Sequence, residues 1–351
     1  MKVHLDELKR FCTAALEKAG MNPEYAAITA DVLSETDAFG VHSHGVRNLY
    51  TYTRKAAADG LDIQAEPEVV KSGLAFAVID AKHGMGMAPS VQAMELACQK
   101  AEQTGIGIVT VKNSTHFGAN GYYANVAAKK GMIGLAISNV NPNMNAPGAK
   151  ANAIGNSPFA FACPAKTIPT VFLDIALSTV AGMKVIQARE SGQKIPTNWI
   201  VDKDGLPTDD PSRFPQEGAL LPMAAHKGYG LAVMVEVLTG VLCGGATSMS
   251  GGVFDWIASL DKPNNISHTF IAVNAALFCD ESDLAERVET MSQELRDLPL
   301  AKGSDRIYLP GEIEWARFAK AEKEGVELPP DAQHSLEKLA ETYNLTLTLV
   351  E

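Results

Sequence analysis

From residue 75 onward the chain keeps returning to short, almost unbroken apolar runs, and this texture limits the folds open to it. The runs fall at 75–80 (AFAVID), 107–112 (GIVTVK), 133–138 (IGLAIS), 158–163 (PFAFAC) and 170–174 (TVFLD), with a later one at 268–273 (HTFIAV). Strands that lack apolar–polar alternation are covered on both faces. Helical stretches at about 89–103 and 119–131 stand between some of them, so this part of the chain reads as an α/β layer.

The two chain ends have a different texture. Leu5, Leu8, Phe11, Cys12, Ala15 and Leu16 recur at helical spacing, with Gly20 placed as a C-terminal cap. Asn22-Pro23 supplies a cap and a first-turn proline for a second helix running to about Ala38. A third helical stretch is expected from Ser43 toward Gly60 and a long helix at about 227–243. Another is expected at 282–297, stopped by Pro299, before two polar C-terminal helices. The 351 residues suffice for two packed subdomains. The expected division is a helical domain over 1–75, with 298–351 packing back on it, and an α/β domain over 76–297.

Charge and cysteine usage exclude several function classes. With 41 acidic against 30 basic residues the net charge is −11, and no Lys/Arg cluster appears, so neither nucleic acid nor an anionic membrane is an expected partner. A small anionic substrate must therefore be held by a few placed cations, not by the overall field. Cys12, Cys98, Cys163, Cys243 and Cys279 are widely spaced in apolar surroundings, which reads as reduced buried thiols and no structural metal site. The opening MKVHLDELKRF is charged and amphipathic, unlike a secretory signal. The most apolar stretch, 228–245, is interrupted by Glu236 and bordered by Lys227, and is expected to be a buried core helix, not a span. The expected compartment is the cytoplasm.

Several constellations carry groups suited to chemistry. His42-Ser43-His44-Gly45-Val46-Arg47, with Tyr52 close behind, offers a proton donor and a cation able to hold a carboxylate through paired hydrogen bonds. Hydride transfer to a carbonyl needs both. The plainer reading is a helix start capped by Ser43 with an exposed His44. Ser114-Thr115-His116-Phe117-Gly118-Ala119 follows a strand, where ligand loops of open α/β sheets gather, although His116 also reads as a loop histidine bonded to backbone. Asp174, ending an apolar strand ahead of Ile175-Ala176-Leu177-Ser178, is a candidate catalytic residue because an aspartate there either caps the following segment or orients a histidine. His226-Lys227 opens the long apolar helix, and a lysine buried at a helix start calls for an anionic partner such as a cofactor phosphate. Gly84-Met85-Gly86 fails as a dinucleotide fingerprint: the third small residue is replaced by Pro89 and no acidic strand end follows, so these glycines read as a turn.

S-H-G at 43–45, H-F-G-A at 116–119, G-x-x-P at 155–158, D-x-A-x-S at 174–178 and K-G-Y-G-L at 227–231 stand together and in order. In this the chain resembles the malate/L-lactate (L-sulfolactate) dehydrogenase family of NAD(P)-dependent oxidoreductases, over about residues 3–325. The resemblance implies a non-Rossmann NAD(P)-binding α/β domain with a mixed sheet, plus a mainly helical domain formed from both chain ends. It further implies a homodimer with its site near the subunit interface. The implied reaction moves a hydride between NAD(P)H, with NAD favoured over NADP, and a small 2-oxo or 2-hydroxy acid. Oxidation of ureidoglycolate or reduction of a cyclic imine is the alternative within the family, and a non-catalytic metabolite-binding protein the remote one. By motif, His44 matches the proton donor with His116 as its rival, and Ser43, Arg47 and Tyr52 match substrate-side positions. Asn139, Asp174, Ile175, Ala176, His226, Lys227, Gly311, Glu312 and Ile313 match cofactor-side positions. The chain departs from the family pattern at Asn48, where the usual arginine stands one residue after Arg47, and at Gly148-Ala149 and Asn156-Ser157.

Overall fold

In a computed structural model that describes residues 1–150, 152–279 and 281–350, the six apolar runs form six strands of one seven-stranded sheet. Its strands are β1 (Glu68–Ser72), β2 (Phe76–Asp80), β3 (Ile106–Ser114), β4 (Ile133–Ser138), β5 (Phe159–Cys163), β6 (Val171–Ile175) and β7 (Ile266–Val273). They lie in the order β1-β2-β3-β7-β4-β5-β6. The sheet is mixed: β2 and β3 run parallel and the other neighbouring pairs antiparallel. β7 arrives late in the chain and slots between β3 and β4, with His268 opposite Ser138 on one side and Val111 on the other.

This order has a consequence for the motifs. Because β3 and β4 both oppose β7, their C-terminal ends emerge on the same edge of the sheet. β2, parallel to β3, ends there too. β5 begins there and β6 ends there, while β7 begins there opposite Ser114. The turn after β2, the loops after β3, β4 and β6, and the loops before β5 and β7 are therefore gathered on one edge, as ligand loops are in open sheets.

The helices are α1 (Leu5–Lys18), α2 (Pro23–Ala38), α3 (Leu49–Ala57), α4 (Met87–Thr104), α5 (Asn120–Ala128), α6 (Gly182–Glu190), α7 (His226–Glu236), α8 (Glu281–Arg296), α9 (Glu312–Glu324) and α10 (Pro330–Tyr343). α2 starts as its sequence dictates: Asn22 Oδ1 accepts from Glu24 N–H with Pro23 at the first turn. α4 crosses from β2 to β3, and α4 and α5 cover the sheet. The large core joins these elements to Leu8, Phe11, Leu16 and Leu33 of the first two helices and to Leu336 and Leu339 of α10. Lys2–Val3 also pairs antiparallel with Val326–Glu327. A second core around Ile137, Met144, Ile154, Leu177 and Phe214 lies under a small sheet of two- and three-residue strands.

Several expectations are corrected. The helix expected from Ser43 is broken into two 3-10 turns, His42–His44 and Val46–Asn48, before α3 begins at Leu49. The break is at Gly45, in extended backbone against the Asp37 carboxylate, where an added Cβ would come within 2.1 Å of Asp37 Oδ2. The apolar stretch 228–245 is not a buried core helix. α7 passes into a π-helical turn at Val237–Val241, and Met234, Val237, Val241 and Leu242 stay 43–57% exposed because nothing among the described residues covers that face. Lys227 is likewise exposed, not buried. β1 went unpredicted because all five of its residues are exposed and leave no apolar face to read. The five cysteines are unpaired, four of them buried. No described helix is long and apolar enough to cross a membrane.

Candidate active site

Two histidine rings meet at the gathered edge. The centroids of His44 and His116 are 5.4 Å apart, although the residues come from the loop after α2 and the loop after β3. Their loops touch through Gly118, whose open side packs against Val32 and the His44 carbonyl and whose φ of +81° suits glycine.

The S-H-G loop is built on a buried carboxylate. Asp37, at the end of α2, accepts from Val46 N–H at 2.7 Å and pairs with His42 Nδ1 at 2.8 Å. Burial raises the Asp37 pKa, and the His42 bond opposes that rise. Asn48, at the position of the family's usual arginine, donates to the Ser43 carbonyl, so it braces the loop from within. From the far chain end, Ser335 of α10 donates to Val46 O and accepts from Tyr50 N–H. Arg47 extends to the same helix and pairs with Asp331 at 2.6 Å, and its charge also lowers the proton affinity of His44.

Each ring is oriented by a hydroxyl. Ser43 Oγ lies 2.8 Å from His44 Nδ1, and Tyr52 Oη lies 2.5 Å from His116 Nδ1. Gly118 N–H also points at His116 Nδ1, at 3.4 Å. A backbone N–H can only donate, so Nδ1 is the acceptor and the neutral ring carries its proton on Nε2. Burial pushes the His44 pKa down to about 4, helped by Arg47. Burial pushes His116 well below the usual histidine range, helped by His44 and His268. Behind them His268 is buried in the sheet between Ser138 Oγ and Ser114 Oγ and stacked on Phe117, its pKa lowered to about 3 by burial.

Residues that the motif reading missed complete this half of the site. Trp256, in the loop before β7, stacks on His116 at 4.6 Å and packs on Tyr52 at 5.3 Å. Lys55 of α3 is fully buried and donates to both Ser259 O and Lys262 O of that loop. Gly86, read from sequence as part of a plain turn, packs against the carbonyls of Thr115 and His116, where a Cβ would be 2.6 Å from Thr115 O.

The expected cofactor-side residues converge a short way along the same edge. Asp174 Oδ2 accepts from Gly121 N–H at 2.7 Å, in the first turn of α5, so it holds the start of an earlier helix and not, as anticipated, the segment that follows it. Its neighbours in charge are Gly121 N–H and Glu314, and burial raises its pKa to about 6. Phe172 N–H donates to Pro310 O, bringing the Gly311-Glu312-Ile313 turn beside β6, and Gly311 sits against the Phe172 ring with φ +85°. Met223 N–H donates to Leu177 O and Gly228 packs against the same carbonyl, which sets the start of α7 against Leu177, the residue after Ile175-Ala176. Asn139 stands apart: its side chain donates to Glu236 and Ala246 and accepts from Ser267 N–H, which braces the loop after β4. Buried Glu236 also accepts two bonds from Ser248, and this accounts for a carboxylate inside an apolar helix.

The sequence profile of the malate/L-lactate dehydrogenase family matches residues 3–337. The chain belongs to that family. It is 34% identical to the malate dehydrogenase of Pyrococcus abyssi over 89% of this chain and 86% of that protein. It is 31% identical to the NAD(+)-dependent ureidoglycolate dehydrogenase of Escherichia coli K12 over 94% and 93%. The structure of the sulfolactate dehydrogenase of Methanocaldococcus jannaschii superposes with a TM-score of 0.91 at 32% identity, covering 99% of this chain and 98% of that one. As a member of this dehydrogenase family the chain acts with a nicotinamide cofactor. The residues present fit such a group. Beside Gly121, both amide atoms of the buried Asn120 side chain lack a hydrogen-bond partner among the described residues, an orphaned polar group at the strand end where Asp174 lies.

Proposed function

We propose that this dehydrogenase interconverts a 2-oxo acid and its 2-hydroxy acid, with His116 as the group that moves the proton. The observation that carries this is the ring pair: His116 is held at Nδ1 by Tyr52 and on one face by Trp256, which leaves Nε2 as its free reactive atom. When bound, the nicotinamide supplies or takes up a hydride at C4. Arg47, oriented by Asp331, and Ser43 hold the substrate carboxylate. That negative charge raises the proton affinity of the neighbouring imidazoles, offsetting the burial that lowers it. Once protonated at Nδ1, where Tyr52 turns from donor to acceptor, His116 gives its Nε2 proton to the substrate oxygen in reduction and is left as the Nδ1–H ring, which takes the proton back at Nε2 in oxidation. His44, joined to the exposed Ser43 hydroxyl, connects the pair to solvent.

Asp174, Ile175, Ala176, His226, Lys227, Gly311, Glu312 and Ile313 are the proposed cofactor contacts, while Asn139 braces the loop after β4, and NAD is favoured over NADP. We also propose a cytoplasmic homodimer, and the division into a chain-end helical domain and an α/β domain described above. The exposed apolar face of Val237, Val241 and Leu242 supports the dimer, and Leu242→Asp is expected to yield a monomer in sedimentation velocity. His116→Ala is expected to abolish turnover across a panel of 2-oxo acids, ureidoglycolate and cyclic imines while NADH still binds by fluorescence titration. Near wild-type turnover in that variant would move the assignment to His44.

A further inference from the structure

We propose that Trp256 is a specificity wall, and that the preferred substrate is a 2-oxo acid with one carboxylate and a flat or branched apolar substituent, not a dicarboxylate. This rests on the reading of His116 given above. Trp256, Tyr52 and His116 form a cluster of three mutually close rings, with centroids 4.6 to 6.0 Å apart and interplanar angles between 21° and 35°. An indole stacked 4.6 Å from the proton-moving ring borders the space where the reacting carbon must stand. The surface it offers there is apolar and planar.

The wall is built, not incidental. Its loop is closed at the neck, where Phe254 N–H donates to Asn264 O and Asn264 Nδ2 donates back to Phe254 O. Asp255 Oδ1 accepts from the N–H groups of Ile257 and Ala258, which fixes the turn carrying Trp256. Lys55 ties the loop to α3 through two carbonyls, and Gly60 admits Leu260 O at a point where a Cβ would lie 2.1 Å away.

The charges around the wall favour one carboxylate over two. Arg47 is the cation whose field reaches His44, and it is already shared with Asp331. The Trp256 loop itself carries Asp255, which holds Asn141 Nδ2 at 3.4 Å, and Asp261, which acts on Lys55. A second substrate carboxylate laid along this loop would meet an indole and two aspartates, while the loop's nearby cations are already engaged, Lys55 with the Ser259 and Lys262 carbonyls and Lys262 over the Phe254 ring.

The test compares NADH-dependent reduction of phenylpyruvate, 2-oxo-4-methylpentanoate, pyruvate and oxaloacetate by the wild type, Trp256→Ala and Trp256→Phe. Wild-type kcat/KM is expected to be at least about tenfold higher for phenylpyruvate than for oxaloacetate. Trp256→Ala should lower phenylpyruvate kcat/KM about tenfold more than pyruvate kcat/KM, the difference falling mostly in KM, while any loss common to both acids reports the support that Trp256 gives His116. Trp256→Phe should restore most of the loss. Equal effects of Trp256→Ala on pyruvate and phenylpyruvate, or a wild-type preference for oxaloacetate, would overturn the proposal. A binding readout separates it from the reaction assignment: phenyllactate should quench tryptophan emission of the wild-type NADH complex, and not that of Trp256→Phe, more strongly than malate does. Absence of turnover with every acid would count against the reaction assigned to the site. In that case malate binding as tightly as phenyllactate would still overturn the wall.

Discussion

Asp174→Asn isolates the energetic cost of the carboxylate at the end of β6. In the folded chain burial raises the Asp174 pKa to about 6, against the ordinary aspartate value of 3.8. Above both values the group is ionised in the folded and unfolded states alike, and the folded state carries the cost. Below both values it is neutral in each and the cost is gone. The folded form therefore binds more protons between pH 3.8 and about 6, and stability falls as pH rises through that window. A shift of roughly two units corresponds to about 3 kcal/mol. Asparagine keeps an oxygen to accept from Gly121 N–H but cannot ionise. Its stability relative to wild type should accordingly grow by about 3 kcal/mol between pH 3.5 and pH 7.5, whatever the offset at low pH. Urea denaturation of both proteins at the two pH values measures this directly. A difference that stays constant, or that shrinks on going to pH 7.5, would refute the raised pKa. NADH titration of the same variant then asks what the costly charge is kept for.

With both histidines held below their ordinary range, kcat/KM for hydroxy-acid oxidation should run level from pH 8 down through 6.5 and fall only at lower pH, because the base is the neutral ring with its proton moved to Nδ1 and Nε2 bare. An inflection near 6.5 in the pH–rate profile would contradict the burial described for this pair. Tyr52→Phe keeps the ring cluster but loses the bond to His116 Nδ1, which is expected to lower kcat/KM about fivefold, near 1 kcal/mol, in steady-state assays. Gly45→Ala drives a methyl into the Asp37 carboxylate and deprives it of Val46 N–H, which should cost about 3 kcal/mol in urea denaturation. An unchanged midpoint would mean that the loop is not built on Asp37.

What was legible in the sequence was local. The runs that became β2 to β7 show their strands as short apolar segments, although of the six only the central β7 is largely buried on both faces while β2 and β6 keep residues exposed, and Asn22-Pro23 marks α2 with its own cap. Ser43, His44 and His116 carry recognisable chemistry in short motifs. What could not be read was direction and distance. An apolar run does not say whether it pairs parallel or antiparallel, so β7 between β3 and β4, which sets the shared edge, had no sequence signal. Tyr52 and His116 are 64 residues apart, and Ser335 and Val46 are 289 apart, so neither brace leaves a local pattern. Trp256 has no polar neighbour pattern to flag it and joins the site through stacking alone. The run at 228–245 was misjudged because hydropathy reports a need for cover without saying what supplies it.

The partners chosen for the two rings show how the site admits two histidines at all. A carboxylate bonded to imidazole raises its basicity. Two such pairs would place two cations 5.4 Å apart. Here the nearby buried carboxylate, Asp37, bonds to His42 and to Val46 N–H, on either side of Ser43-His44-Gly45, and so shapes the loop without charging its central ring. The rings take hydroxyls instead, from Ser43 and Tyr52. A hydroxyl donates to an unprotonated nitrogen and accepts from a protonated one, so it fixes a ring in either state and favours neither strongly. Both histidines can therefore stay neutral side by side until an anionic substrate arrives, and the charge that makes His116 an acid comes from the molecule it is to protonate.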